Sequence, residues 1–375
     1  MAGIYFHYPF CSQACNYCNF HFSTQTKYTQ EMQQAMNSEL YLRKSELKKP
    51  IESIYFGGGS PSLLPVSFFH KTIKSVKNYF KLNDNIEVTL EANPNDLSLE
   101  NLKDLKKSGV NRISLGVQSF DDDELKMMNR IHNASQGLKT IEWTSKVFDN
   151  FSVDLIYGLP QSNISSWAHN LDTLISFNPP HISSYALTVE PKTVLSYQVE
   201  KGEVKLLDEE TVKFQHDLLI SRLEKASYIN YEFSNFGKFG FHSVNNSNYW
   251  SGKPYLGIGP SAHSFDGHRL RSWNISNNLK YLKSLEKGCL PQTNEVLKDH
   301  EVYNEYVMIG LRTNGVKISR VNESFGSNYV IFLEKQVKKH LLNRHLFWDG
   351  DVLKISRHAR FLTDGIASDL FMLRS

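Results

Sequence analysis

The sequence predicts an α/β fold built on a parallel sheet, and three observations carry that prediction. Short β-rich apolar runs alternate with longer stretches of helical spacing, six such units follow one another, and each run ends in a polar turn. The runs occupy residues 4–8, 51–56, 86–91, 112–117, 153–157 and 182–187, with helix candidates at 28–47, 68–79, 99–107 and 164–177 between them. Strands joined by helical crossovers run parallel. Periodicity alone leaves a doubly wound sheet and a full or partial barrel both open.

In either architecture ligands bind at the carboxyl ends of the strands, so the residues after each run are the place to look. Those ends are Pro9-Phe10-Cys11, Gly57-Gly58-Gly59-Ser60-Pro61-Ser62, Glu91-Ala92-Asn93-Pro94, Gln118-Ser119-Phe120, Gly158-Leu159-Pro160 and Thr188-Val189-Glu190-Pro191. One rim therefore collects glycines, carboxylates, amides and a thiol. Beyond about residue 200 the pattern stops. A helical stretch covers 208–228, a Gly-, Asn-, Ser- and aromatic-rich segment at 233–273 reads as irregular, and helix candidates at 301–311 and 330–342 precede a hairpin at 347–353. The expected division is a β/α domain over 1–205, a helix and irregular segment packing on it over 206–291, and a small winged-helix-like domain over 292–375.

The chain has 375 residues, 40% of them hydrophobic and 22% charged, enough for one large and one small domain and unlike a disordered or low-complexity chain. Forty-two Lys and Arg against 39 Asp and Glu leave a net charge of +3, too small for a nucleic-acid polyelectrolyte role. Lys335, Lys338, Lys339, Arg344 and His345 form a local basic group. It reads as the solvated side of an amphipathic helix whose buried face holds Ile331, Leu333, Val337, Leu341 and Leu342, so no nucleic-acid partner is expected. No apolar run reaches the roughly 18 residues of a membrane span, and residues 1–10 lack a secretory signal pattern. With three of four cysteines inside eight residues, a disulfide framework is excluded and a cytoplasmic protein with metal-binding or redox thiols is expected. Cys289, alone, reads as a plain buried thiol.

Cys11-Ser-Gln-Ala-Cys15-Asn-Tyr-Cys18 is a CxxxCxxC loop directly after the first strand. Three thiolates on so short a loop can converge on one centre. A [4Fe-4S] cluster held by three cysteines keeps one iron open for a ligand. A Cys3His zinc site with His7 or His21 as fourth ligand is the alternative, and inert thiols are the third reading.

CxxxCxxC followed by a β/α series with Gly57-Gly58-Gly59-Ser60-Pro61-Ser62 at the second strand end resembles the radical S-adenosylmethionine (SAM) superfamily. More closely, the chain resembles the oxygen-independent coproporphyrinogen III oxidase family and its haem chaperone branch, HemW. The likeness runs from Ile4 through Asp154-Leu-Ile-Tyr-Gly-Leu-Pro160 and Tyr255-Leu-Gly-Ile-Gly-Pro-Ser-Ala-His263 into the C-terminal segment. It implies a partial (β/α)6 TIM-like barrel with a small C-terminal domain of the family's type, a [4Fe-4S] cluster on Cys11, Cys15 and Cys18, and SAM at the open iron. Carried over residue by residue, the SAM contacts fall on Tyr5, Tyr17, Gly58, Gly59, Ser60, Glu91, Gln118, Arg130, Asp154 and Ala186. Their chemistry agrees: glycines admit close backbone approach, Arg130 suits a carboxylate, and Glu91 and Asp154 suit an amine or ribose hydroxyls.

The branch implies haem binding and transfer to an acceptor protein, with a flavodoxin or ferredoxin as electron donor if the cluster is reduced. The alternative is an oxygen-independent coproporphyrinogen III oxidase or another radical SAM enzyme of porphyrin metabolism. Two departures point from enzyme to chaperone: Phe20 stands where such oxidases carry a fourth cysteine, and ten residues precede Cys11. Enzymatic activity stays open, with coproporphyrinogen dehydrogenation not expected. The chaperone branch usually shows HNxxYW, implicated in haem binding; this chain has Asn245-Asn246-Ser247-Asn248-Tyr249-Trp250. An amide ligates haem iron poorly, so His242, Tyr249 and His263 become the haem candidates.

Overall fold

In the computed structural model, which describes residues 1–373, the chain separates into two units: Met1–Ile229 with Phe236–Asn294, and Asn230–Asn235 with Glu295–Ser375. The last two residues of the 292–375 segment lie outside the described residues.

The first unit opens with six β/α repeats. Its strands are β1 (Ala2–Tyr8), β2 (Ile51–Gly58), β3 (Leu82–Ala92), β4 (Arg112–Gln118), β5 (Phe151–Tyr157) and β6 (His181–Ala186). The helices between and after them are α1 (Thr29–Leu42), α2 (Val66–Tyr79), α3 (Leu99–Ser108), α4 (Asp122–Met127), α5 (Ala134–Val147), α6 (Ile164–Ser176), α7 (Val194–Glu200) and α8 (Glu209–Lys225). Neighbouring strands from β1 to β6 all pair in parallel, so the expected α/β partial barrel is the observed class. The helix starts are written locally. Ser98 caps α3, and Asn133 and Asn163 close capping boxes on α5 and α6, each satisfying amides that have no partner within the helix.

The segment expected to be irregular contributes short strands instead. After β7 (Ile229–Asn230) come β8 (Asn235–Gly237), α9 (Val244–Trp250), β9 (Tyr255–Ile258), β10 (His263–Phe265), β11 (Leu270–Asn274), α10 (Asn278–Glu286) and β12 (Gln292–Val296). Strand β9 adds in parallel to the free side of β1, with Gly3 opposite Tyr255, and β10 and β11 continue antiparallel. Strands of three to five residues, punctuated by Gly257, Gly259 and Gly267, are too brief for a periodicity signal. Cys289, expected to be buried, is exposed.

Alternation along the strands decides where the cleft lies. One row, including Ile4, Phe6, Ile54, Phe56, Val88, Leu90, Ile113 and Val153, is buried with the helices in one apolar cluster. The opposite row is polar: Tyr55 on β2, Glu87, Thr89 and Glu91 on β3, Arg112 and Ser114 on β4, Ser152 and Asp154 on β5, His181 and Ser183 on β6. A closed β/α barrel fills its interior with branched apolar side chains; this one leaves a polar concavity.

The β9–β11 extension is fastened to α1 by a buried ion pair. Glu39 accepts hydrogen bonds from Gly259 N–H (2.8 Å), Tyr281 Oη (2.6 Å) and Asn274 Nδ2 (2.7 Å), and pairs with Arg43 at 3.1 Å. Arg43 in turn donates to the Gly257 carbonyl (2.9 Å) and to Ser264 Oγ (3.1 Å).

The second unit packs α11 (Asp299–Arg312), α12 (Ile318–Phe325), α13 (Ser327–Leu342) and α14 (Thr363–Asp369) with an antiparallel sheet of order β13 (Val316–Lys317), β15 (Val352–Ile355), β14 (Leu346–Asp349). Its core holds Tyr303, Val307, Leu333, Val337 and Leu353. The expected hairpin is the β14–β15 pair, turning at Gly350 with φ of 58°. The apolar face of α13 departs from expectation: Ile331 is 63% and Leu342 83% exposed, whereas Tyr329, Leu333, Val337 and His340 are buried. Those four keep strict three- and four-residue spacing, and Ile331 and Leu342 fall outside that stripe.

Arg43 is held by Glu46 as well, its Nη2 at 2.8 Å, so losing Glu39 leaves the buried donors Gly259 N–H, Tyr281 Oη and Asn274 Nδ2 without their acceptor. Glu39→Ala is expected to lower unfolding stability by roughly 3 kcal/mol or more, read as a shifted urea midpoint at unchanged slope.

Candidate functional site

The concave face of the parallel strands and the loops at their carboxyl ends enclose a cleft of about 650 Å³, within the range of cofactor sites. Cys11, Cys15 and Cys18 line it. The cysteine loop is pinned at its root by Cys11 N–H to the Ser23 carbonyl (3.1 Å) and Ser23 N–H to the Pro9 carbonyl (2.9 Å). Its middle is tied to the turn after α4: Asn129 Nδ2 donates to the Ala14 carbonyl (2.7 Å), Gln13 Nε2 to the Asn129 carbonyl (2.8 Å), and Asn16 Nδ2 to the Met127 carbonyl (2.7 Å). Amides thus shape the loop and leave the thiols to the cleft.

Burial pushes the Cys11 thiol up to about 11 against a lowering hydrogen bond with Ser60, and burial also raises Cys18. Metal binding must expel those protons. The cation placed to favour thiolate is Arg130, whose Nη1 stands 3.4 Å from Cys15 Sγ while Nη2 donates to Asn93 Oδ1 (2.6 Å) and the Gly116 carbonyl (2.8 Å).

At the second strand end the backbone comes too close for side chains. Gly58 has φ of 106°, with the His7 ring where a Cβ would stand, and a Cβ on Gly59 would lie 2.6 Å from the Phe10 carbonyl oxygen. The Glu91 carboxylate accepts from Tyr55 Oη (2.7 Å) and Gly58 N–H (3.2 Å). Deeper, Asp154 accepts from Ser114 Oγ (3.1 Å) and Ser152 Oγ (3.1 Å). Burial raises its carboxyl against those hydrogen bonds and the nearby Arg112 charge.

Of the sequence-predicted residues, Tyr17, Gly58, Gly59, Ser60, Glu91, Gln118, Arg130, Asp154 and Ala186 all line the cleft with the three cysteines. Tyr5 stands outside its lining: it stacks on Tyr55 with ring centres 5.9 Å apart, its Oη 3.2 Å from His7 Nδ1. Sequence reasoning missed Tyr55, Thr89, Arg112, Ser114, His181, Ser183, Ser243 and Asn246, which also line the cleft. For Thr89 the available signal was its spacing of two from Glu91 on the same strand; Tyr55, Arg112, Ser114, His181 and Ser183 lie on other strands, where the alternation of polar and apolar residues was the only signal.

The donor set fits a cluster better than the zinc alternative. His7 engages both ring nitrogens, Nε2 with the His21 carbonyl at 2.8 Å and Nδ1 with Tyr5, and His21 Nε2 faces Asn278 Oδ1 at 2.7 Å. Neither histidine lines the cleft. Among the described residues no three His, Cys, Asp or Glu side chains are close enough to hold one metal ion; in a cubane each thiolate binds its own iron.

The haem candidates lie elsewhere. Tyr249 is 51% exposed and packs against Trp250 and Tyr255, with ring centres 5.7 and 5.4 Å away, and Tyr255 continues to Phe265. His263 is exposed, stacked on Trp273, and shares with Phe265 the side of β10 opposite Ser264, which faces Arg43 at the end of α1. Tyr249 and His263 thus belong to one aromatic face. His242 does not: Gly237 packs against its ring, and its Nε2 is shielded from solvent.

Comparison with known proteins agrees with this geometry. The model of the radical SAM superfamily matches residues 5–174. Heme chaperone HemW of Bacillus subtilis (strain 168) is 34% identical over 333 residues, 87% of each chain. Heme chaperone HemW of Buchnera aphidicola subsp. Schizaphis graminum is 32% identical over 92% of this chain and 93% of its own. The solved coproporphyrinogen III oxidase HemN of Escherichia coli superposes with a TM-score of 0.85 over 100% of this chain and 90% of its own, at 20% identity, and so shares the fold. Fold and thiol cleft together define a radical SAM protein. Within that superfamily the chain belongs to the HemW haem chaperone family.

The Glu91 carboxyl is raised to about 7, chiefly by burial, with Asp154 adding to the rise and hydrogen bonds from Tyr55 and Gly58 opposing it. A folded-state value above the unfolded one means that folding binds the proton, so stability falls as pH rises from about 4.5 to about 7. Glu91→Gln removes that slope. Urea denaturation at pH 4.5 and 7.5 is expected to show the wild type losing stability relative to the variant, and an unchanged difference refutes the assignment.

Proposed function

We propose that the chain is a cytoplasmic haem chaperone, binding haem and passing it to an acceptor protein, with a [4Fe-4S] cluster on Cys11, Cys15 and Cys18 and an exchangeable SAM in the cleft. Near-full-length kinship with proteins named as haem chaperones carries the reading, and the thiol cleft supports its cofactors. When bound, the cluster and SAM supply a reducible centre with an exchangeable ligand; if the cluster is reduced, a protein such as a flavodoxin or ferredoxin is the electron donor. The chain's own groups have separate tasks. The cysteines hold the cluster, Arg130 fixes the Cys15 side of the loop, Gly58 and Gly59 admit a ligand to the backbone, and Glu91 and Asp154 accept from an amine or ribose hydroxyls. The exposed aromatic face takes haem, with Tyr249 and His263 as candidate ligands, since phenolate and imidazole both ligate haem iron. His242 is withdrawn from that role while its ring stays shielded. No nucleic-acid partner is proposed.

Anaerobic purification with iron, sulfide and zinc analysis, followed by haem titration, tests this. About four irons per chain and a saturable haem spectrum are expected. Cys15→Ser is expected to lose the iron while keeping its circular dichroism spectrum, and His263→Ala or Tyr249→Ala to weaken haem binding where His242→Ala does not. Zinc in place of iron overturns the cluster. Four irons without haem binding, with turnover of coproporphyrinogen III, replaces the chaperone by an oxidase.

A further inference from the structure

The cleft has a floor as well as a rim. Opposite the cysteines it is lined by Arg112, His181, Ser243 and Asn246. Ser243 caps α9 and Asn246 lies in its first turn, and this helix packs on β1 and β2 and carries Tyr249. Its seat is one buried carboxylate. Glu87 on β3 accepts from the N–H groups of Val244 and Asn245, 3.0 Å each, and from Ser243 Oγ at 3.4 Å. The same carboxylate faces Arg112 Nε at 4.0 Å, and Arg112 Nη1 is bound to Asn150 Oδ1. Strand β3 joins floor to rim, because its inward residues are Glu87, Thr89 and Glu91. Thr89, fully buried between them, lines the cleft, and its Oγ1 has no hydrogen-bond partner among the described residues. A buried hydroxyl left in that state calls for a partner from outside the chain.

We propose that Glu87 and Arg112 are positioning residues that couple the cleft to α9: a ligand filling the cleft orders the helix and thereby tightens haem on its outer side. This rests on the haem reading above. The route is short. Arg112 borders the ligand space and faces Glu87, and Glu87 holds the first two amides of a seven-residue helix that is far too short to be stable alone. Fixing the guanidinium fixes the carboxylate, and with it the helix start. Linkage then requires haem to tighten the cleft ligand by the same factor.

The test uses full-length, anaerobically reconstituted protein with and without SAM. Hydrogen exchange at the Val244 and Asn245 amides reports the helix directly, and haem titration reports the consequence. In wild type, SAM is expected to slow exchange and to tighten haem by about fivefold or more. In Glu87→Gln, which keeps the shape but not the charge facing Arg112, both factors, each taken relative to the same protein without SAM, are expected to fall below about twofold. Equal SAM effects in variant and wild type, or none in wild type, overturn the coupling. Ser243→Ala, which loosens the same seat more gently, is the second variant should Glu87→Gln not fold, and it too must shrink the SAM effect. Slowed exchange without any haem binding supports the Glu87 and Arg112 coupling to α9 and overturns the chaperone reading instead.

Discussion

The two-residue repeat of the parallel strands is the constraint on which the rest depends. Ile4 and Phe6, Val88 and Leu90, and their counterparts are locked into the apolar layer under the helices, so the residues between them face the cleft. A one-residue slip in β3 would bury Glu87, Thr89 and Glu91 against α2 and α3 and put Val88 and Leu90 into the ligand space. Burial of one row thus sets the chemistry of the other. Parallel crossovers add the second half of the arrangement, delivering every strand's carboxyl end, and therefore the cysteine loop, Gly58-Gly59, Gln118 and Arg130, to one rim.

A polar interior is costly unless its groups are paired, and the way they are paired separates scaffold from site. Glu39 is saturated by Arg43, Tyr281, Asn274 and an amide, which suits a fixed clamp between α1 and the β9–β11 extension. The cleft is less complete. Glu91 has two donors and a strongly raised pKa, and Thr89 Oγ1 has none. Such partial satisfaction marks ligand sites, where the missing partner arrives with the ligand.

Much of this was legible in the sequence. The β/α alternation, the thiol loop and the glycine turn are local signals, and each sits where its strand end puts it. The polar inward rows were not legible as such, because Glu87-Val88-Thr89-Leu90-Glu91 reads like a half-exposed strand, and only the fold shows that the polar side faces a cleft rather than solvent. The family likeness supplied Glu91 and Asp154 but not Thr89, Arg112 or His181, whose roles follow from sharing their rows. Strands β9 to β11 escaped because three to five residues carry too little pattern. Ile331 and Leu342 misled for the opposite reason: apolar character was read as burial, while the stripe of α13 admits only residues three or four apart.

The two ends of the barrel bear on how a cluster and a haem can influence each other. The cysteines follow the carboxyl end of β1, whereas Tyr255, packed against Tyr249, lies beside Gly3 at its amino end. At about 3.3 Å per residue, β1 separates these points by roughly 20 Å. A haem held at Tyr249 is therefore out of contact with the thiols, and any dependence of one on the other must be carried by protein groups between them. The outer apolar rows are close-packed and ill suited to two arrangements. The inner rows are polar groups bordering open space, and they run from Glu91 at the rim past Thr89, whose Oγ1 has no partner among the described residues, to Glu87 under α9. Communication across this fold, where it occurs, has its most direct path through the polar interior.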